Sequence, residues 1–272
     1  MSDPKSRAQT FLATTAKQRL TTYDGKTWEY FDVGPRSAMT IVLLPDAIGS
    51  AIAYHALMPA LAAAGYRALA VHYPVVWTHD ELVHSLDRFL DALSLASVHL
   101  YGASLGATLA QRFCSAFPHR VRSLVLTRGY GKSVVIGARY LKMLSVMPRF
   151  QLKKLMLKEL DTSEDVAEHA ASDFLRQQLE CLSQAQLASR LTLAGLSSSA
   201  PARDLHIPYD RVTLLDSYGS NNADDSDQRE DMYGRFSDAK KALLKASGRF
   251  PYLSHPDDVV LYLQVHLRAH AC

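Results

Sequence analysis

Gly102-Ala103-Ser104-Leu105-Gly106 is the segment of this 272-residue sequence with the clearest capacity for chemistry. A serine with a glycine two residues to either side has the form of a nucleophile elbow: the serine rides a sharp turn, and the glycines let the backbone pass its neighbours. The reaction would be acyl transfer, with the hydroxyl attacking a carbonyl. That hydroxyl attacks only when an imidazole takes its proton and a carboxylate orients the imidazole, in the chain order Ser, Asp or Glu, His. The oxyanion that develops needs backbone donors. Leu105, directly after the serine, and Ala47 in Pro45-Asp46-Ala47-Ile48-Gly49 are the candidates. Asp46 works against this, because a carboxylate pointing inward would oppose negative charge.

Other constellations are weaker. His266 and His270 stand four apart, a spacing that can present two metal ligands, but no third ligand follows at a matching interval, and no metal site is expected. Asp224, Asp225, Asp227, Glu230 and Asp231 lack the glycine of a calcium loop. There is no phosphate-cradling loop, dinucleotide fingerprint or zinc spacing, so no cofactor is expected.

The elbow has to be positioned by a scaffold, and the flanking sequence supplies one. Thr40 to Leu44, Arg67 to Val71, Ser97 to Tyr101 and Ser123 to Leu126 are short apolar runs. Between them, Ala51 to Ala64, Asp80 to Leu95 and Leu105 to Phe117 carry helical spacing. Strands apolar on both sides that alternate with helices predict a parallel sheet covered on both faces. Thr27 to Val33 reads as an earlier strand, Asp210 to Asp216 and Lys240 to Ala246 as later ones, and Pro256 to Leu267 as a closing helix. From Arg128 to Ile207 the alternation stops, and helices are expected over Ala138 to Met147, Leu152 to Leu160 and Glu164 to Leu193.

A GxSxG at a strand-to-helix junction within this alternation resembles the α/β-hydrolase fold over nearly the whole chain. The fold class expected is therefore α/β: a mostly parallel sheet with helices on both faces and a helical cap insertion. Residues 1–128 would form the first part of the core, 129–207 the cap and 208–272 the last part of the core. The fold also says where the partners of Ser104 belong. The acid position, about three residues beyond Asp216 at the end of a late strand, falls on Gly219. The alternative acid site holds Thr127 and Arg128. The histidine loop reads Gly248-Arg249-Phe250-Pro251, which puts Arg249 where the base should be, and a guanidinium stays protonated near neutral pH. Both triad positions are thus lost, and His255 is the remaining candidate base.

Longer blocks carry a closer resemblance. Asp32 to Ser37, Tyr73 to Trp77, Val98 to Gly106, Ala188 to Leu193, Phe250 to Leu253 and Leu261 to Leu267 together resemble the maspardin family. The resemblance implies a non-catalytic protein of the cytosol, peripheral on endosomes or trans-Golgi, acting through partners such as an aldehyde dehydrogenase and membrane-receptor tails. The alternative is a serine esterase or lipase-like hydrolase using Ser104 with a non-standard base.

Composition agrees with one folded unit: 48% hydrophobic and 21% charged residues can bury a sizeable core. Thirty Lys and Arg against 27 Asp and Glu leave a net charge of +3 with no long basic block, so no nucleic-acid partner is expected. Cys114, Cys181 and Cys272 are too scattered for a disulfide framework. No apolar run reaches the roughly 18 residues of a membrane span. Residues 139–160 interleave Leu141, Met143, Val146, Phe150 and Leu157 with Lys142, Arg149, Lys153, Lys154 and Lys158, a basic amphipathic pattern open to peripheral membrane contact. Tyr73 and Trp77 are expected to line a pocket over Ser104.

Overall fold

The apolar runs become the strands of a single eight-stranded sheet. The computed structural model describes residues 3–129, 138–158, 160, 165–196, 205–218, 229–230 and 232–270. Strands β1 (Gln18–Thr21), β2 (Thr27–Val33), β3 (Thr40–Leu44), β4 (Arg67–His72), β5 (Val98–Ala103), β6 (Val121–Thr127), β7 (Val212–Tyr218) and β8 (Lys240–Ser247) lie in the order β1-β2-β4-β3-β5-β6-β7-β8. The first two pairings, β1 with β2 and β2 with β4, are antiparallel, and the others are parallel. Gly219, Asp224, Asp225, Asp227 and Cys272, all singled out in the sequence, lie outside the described residues.

β3 and β5 are buried along their whole length because helices cover both faces. Strand alternation divides their side chains between two cores. Ile41 and Leu43 join Leu57 and Leu61 of α2 (Leu57–Ala63) and Leu263 of the closing helix on one face. Val42 and Leu44 join Leu86 and Phe89 of α3 (His79–Ala92) and Leu109 and Phe113 of α4 (Leu105–Ala116) on the other. An N-terminal helix, α1 (Pro4–Thr14), seats Phe11 edge-on against Phe31, with ring centroids 5.2 Å apart. Neither α1 nor β1 was apparent from periodicity.

Between β6 and β7 stand α5 (Ala138–Leu144), α6 (Arg149–Leu157), α7 (Val166–Glu180) and α8 (Gln184–Leu196). The helix expected over 164–193 is therefore two. They separate at Ser183, whose Oγ accepts the Gln186 N–H at 3.2 Å while Gln186 Oε1 accepts the Ser183 N–H at 2.9 Å, a reciprocal capping box. Pro148 precedes α6, which starts earlier than its apolar spacing suggested. Residues 51–64 likewise divide into a 3-10 turn, Ala51–Tyr54, and α2. The strand expected at 210–216 runs as β7 from Val212 to Tyr218, so Asp216 lies inside the strand and not at its end. Two helices close the chain, α9 (Pro251–Ser254) and α10 (Pro256–Ala269). Among the described residues no helix is long and apolar enough to cross a membrane.

Candidate functional site

Ser104 sits between β5 and α4 with φ 50° and ψ −109°, a backbone conformation costing a non-glycine residue about 1–3 kcal/mol. Its surroundings impose that turn. A Cβ on Gly106 would run into the Leu44 carbonyl, and one on Gly102 into the Gly106 carbonyl, so the crossing of β3, β5 and α4 closes only with glycine at both positions. The Ser104 N–H donates to the Thr127 carbonyl at 2.9 Å, and the Ser104 carbonyl accepts the Thr108 N–H at 3.0 Å. The elbow is thereby tied to the end of β6 and to the first turn of α4. Arg128, next to Thr127, is also left-handed, with φ 49°.

The cleft over Ser104 has a volume of about 40 Å³. At roughly 10–15 Å³ per water it holds about three waters, whereas a small-molecule site usually offers about 300–1,000 Å³. Its described lining comes from the loop after β3 (Asp46, Ala47, Ile48), from the elbow, from Thr127 and Arg128, and from Arg249, Phe250 and Tyr252. No histidine is among these residues.

Asp46 sets the electrostatics. Its carboxylate turns back into its own loop, where it accepts the Gly49 N–H and, at 2.8 Å, the Tyr252 hydroxyl. Burial pushes this carboxyl up, and the N–H groups of Gly49 and Ile48, the Tyr252 hydroxyl and the Arg190 charge oppose that rise. Arg190 on α8, 1% exposed, donates to the carbonyls of Ala47, at 3.2 Å, and Gly49. Burial lowers its guanidinium to about 10, so it remains a cation at neutral pH. The Tyr54 hydroxyl donates to the Leu44 carbonyl at 2.9 Å and the Tyr73 hydroxyl to the Pro45 carbonyl at 2.7 Å. The loop that would donate Ala47 N–H to an oxyanion is therefore clamped from the cap and the core, with a buried carboxylate beside it. Leu105 N–H, at the start of α4, is the other backbone donor the elbow could offer.

The loop at the histidine position is clamped as well. Glu168, buried on α7, accepts the N–H groups of Arg249 at 2.6 Å and Phe250 at 3.0 Å through one oxygen. Burial pushes its carboxyl up, against the pull of those two N–H groups. Arg249 itself lines the cleft.

Three expected site residues lie elsewhere. His255 is at the junction of α9 and α10 with its Nδ1 3.1 Å from Ser254 Oγ, because a helix start at Pro256 carries it away from the elbow. Tyr73 is behind the β3 loop, its hydroxyl spent on Pro45. Trp77 is 39% exposed, with its N–H donated to Glu81 at 2.9 Å in the approach to α3. Neither aromatic lines the Ser104 cleft. His266 is tied to Thr213 at 2.8 Å and Ser123 at 2.7 Å.

Sequence reasoning missed Glu168 and Arg190. An arginine inside the apolar run Leu187 to Leu193 was a legible sign of a buried cation, whereas nothing distinguishes Glu168 from the other acids of an amphipathic helix. On the cap, Leu144, Leu152 and Met156 pack inward, while Val146 at 79% and Phe150 at 66% exposure, with Met143, face outward beside exposed Lys142, Lys154 and Lys158.

The strand order, the strained elbow and a helical cap between β6 and β7 define an α/β-hydrolase-fold protein, and residues 40–214 match that fold family. A carboxylesterase structure from Nitrososphaera gargenis superimposes with a TM-score of 0.75 at 15% identity, covering 93% of this chain and 99% of that one. Within this fold the chain belongs to the maspardin family. It is 38% identical to maspardin of Homo sapiens over 251 residues, 90% of this chain and 80% of the relative, and 36% identical to that of Danio rerio over 250 residues, 90% and 79%.

Proposed function

We propose that the protein is a non-catalytic binding or adaptor protein in which the hydrolase scaffold is kept for its surface and not for turnover. The observation that supports this most directly is the cleft over Ser104: about 40 Å³, lined by Arg249 where a base belongs and by the buried carboxylate of Asp46. Arginine does not take a proton from serine, and an ionised Asp46 lining the same cleft would oppose an oxyanion. Protein partners are the ligand class, with an aldehyde dehydrogenase and membrane-receptor tails the candidates that the family resemblance suggests. The setting is the cytosol and the surface of endosomes or the trans-Golgi. The outward face of 139–160, with Met143, Val146 and Phe150 beside lysines, supports peripheral contact with anionic membranes.

Hydrolysis of p-nitrophenyl butyrate by the parent and by Ser104→Ala tests the reading. Equal background rates are expected, and turnover lost with Ser104 would overturn it. For the membrane contact, Met143→Glu with Phe150→Glu is expected to abolish sedimentation with phosphatidylserine vesicles; unchanged sedimentation would refute that contact. The second reading, a serine esterase with a non-standard base, is favoured by one observation, the positive φ of Ser104 in a complete elbow.

A further inference from the structure

At the opposite edge of the sheet from Ser104, where β6, β7 and β8 begin, the chain forms a second and much larger cleft of about 970 Å³. Its described lining includes Arg122 at the start of β6, Arg211 in the 3-10 turn before β7 and Lys240 as the first residue of β8. Three permanent cations from three separate segments thus face one space, and the only carboxylate among the described lining residues is Asp210. His119, His206 and His270 add imidazoles.

These groups stand close enough to act on one another. Burial, then the charges of Lys240 and Arg211, hold the His270 imidazole below its ordinary value, while Asp210 pulls it the other way. The His270 Nε2 is buried and makes no hydrogen bond among the described residues. Arg122 is fixed through its Nε, which donates to Ser97 Oγ at 2.9 Å, so its fork is held at the cleft wall. Like charges gathered in a concave site repel one another in the free protein and focus a positive potential that a multivalent anion would neutralise. Planar guanidinium groups suit phosphate in particular.

We propose that this cleft binds a ligand carrying two or more phosphate groups. The site is independent of Ser104 and uses no part of the elbow. The phosphates come either from a soluble polyphosphate or from a phosphorylated lipid headgroup, and one set of titrations separates the two.

The probe is inositol hexakisphosphate, titrated calorimetrically at about 50 and about 200 mM salt. Saturable one-to-one binding is expected, at least tenfold weaker at the higher salt. Arg211→Glu with Lys240→Glu, both on exposed positions, should weaken it at least tenfold with the melting temperature of the free protein unchanged or raised. Arg122→Gln alone should weaken it about threefold, and this keeps the test decisive if the double variant does not fold. The control, Lys142→Glu with Lys154→Glu on the cap, should leave it unchanged. Phosphatidylserine vesicles with and without phosphatidylinositol bisphosphate, offered to protein carrying the cap reversals so that the cap's own membrane contact is removed, then assign the source: retention that needs the bisphosphate and that the cleft variants abolish indicates a lipid headgroup, and its absence a soluble ligand. The proposal is overturned by no saturable binding of the hexakisphosphate or by binding that the cap reversals weaken as much as the cleft reversals. In each case the cations would serve only the carbonyl end of α10, where cations are also favoured.

Discussion

Replacing Arg190 by methionine is the perturbation whose size the structure fixes best. The guanidinium is fully buried and donates to the Ala47 and Gly49 carbonyls, and its charge counters the buried Asp46 carboxylate. Methionine matches much of its volume but supplies no donor. Two buried carbonyls left unsatisfied cost about 1–3 kcal/mol each. Losing the cation also removes a charge that holds the Asp46 carboxyl down. The expected loss is therefore about 2–6 kcal/mol, a large part of the stability of an ordinary domain. Urea unfolding at pH 7, followed by far-ultraviolet circular dichroism and by tyrosine and tryptophan fluorescence, measures it through the shift in midpoint at constant m. Arg190→Lys is expected to recover less than half, since an ammonium lacks the planar fork that reaches both carbonyls. A loss below about 1 kcal/mol in Arg190→Met would refute the view that this residue clamps the loop after β3.

The remaining predictions follow from burial and close packing. Burial holds His72 and His266 down to about 3 and His79 and His99 to about 4, against an ordinary 6.5, so the unfolded chain binds more protons than the folded one in between. Stability is then complete above pH 6.5 and falls as the pH drops towards 4, by about 1.4 kcal/mol per pH unit for each imidazole; equal urea midpoints at pH 7 and pH 5 would contradict this. Gly106→Ala drives a Cβ into the Leu44 carbonyl and should lower the melting temperature sharply or abolish folding, while Gly234→Ala, with open space around it, should shift it little. Arg249→His combined with Gly219→Asp restores the residue types of a triad but leaves Asp46 and the rest of the narrow cleft lining in place, so ester hydrolysis should stay at background. A tenfold rise over the parent would show that the cleft does admit an ester.

Much of this architecture was legible because its signals are local. A GxSxG after Val98 to Tyr101 announced the turn at Ser104, and the apolar runs 40–44, 67–71 and 123–126 marked central strands because such strands are apolar on both faces. The Arg249 substitution was legible for the same reason, lying in a short loop of fixed order. What escaped depends on contacts far apart in the chain. Glu168 meets Arg249 across 81 residues and Tyr252 meets Asp46 across 206, and no spacing rule relates such positions. The division of α7 from α8 was a different kind of miss. Ser183-Gln184-Ala185-Gln186 spells a capping box, but the apolar spacing continues across it and masked the break. Tyr73 and Trp77 are expected at the cleft because their strand ends near the elbow in this fold, but β3 lies between β4 and β5 and the Tyr73 hydroxyl turns to the Pro45 carbonyl.

Intact-protein mass spectrometry after exposure to an activity-based fluorophosphonate tests the central claim most directly, because that reagent reports an activated serine whatever the natural ligand. A serine whose cleft holds no histidine should remain unmodified, with parent and Ser104→Ala each keeping the mass of its own untreated chain. A stoichiometric phosphonyl adduct on Ser104, absent from Ser104→Ala, would contradict the account and restore the protein to the serine hydrolases.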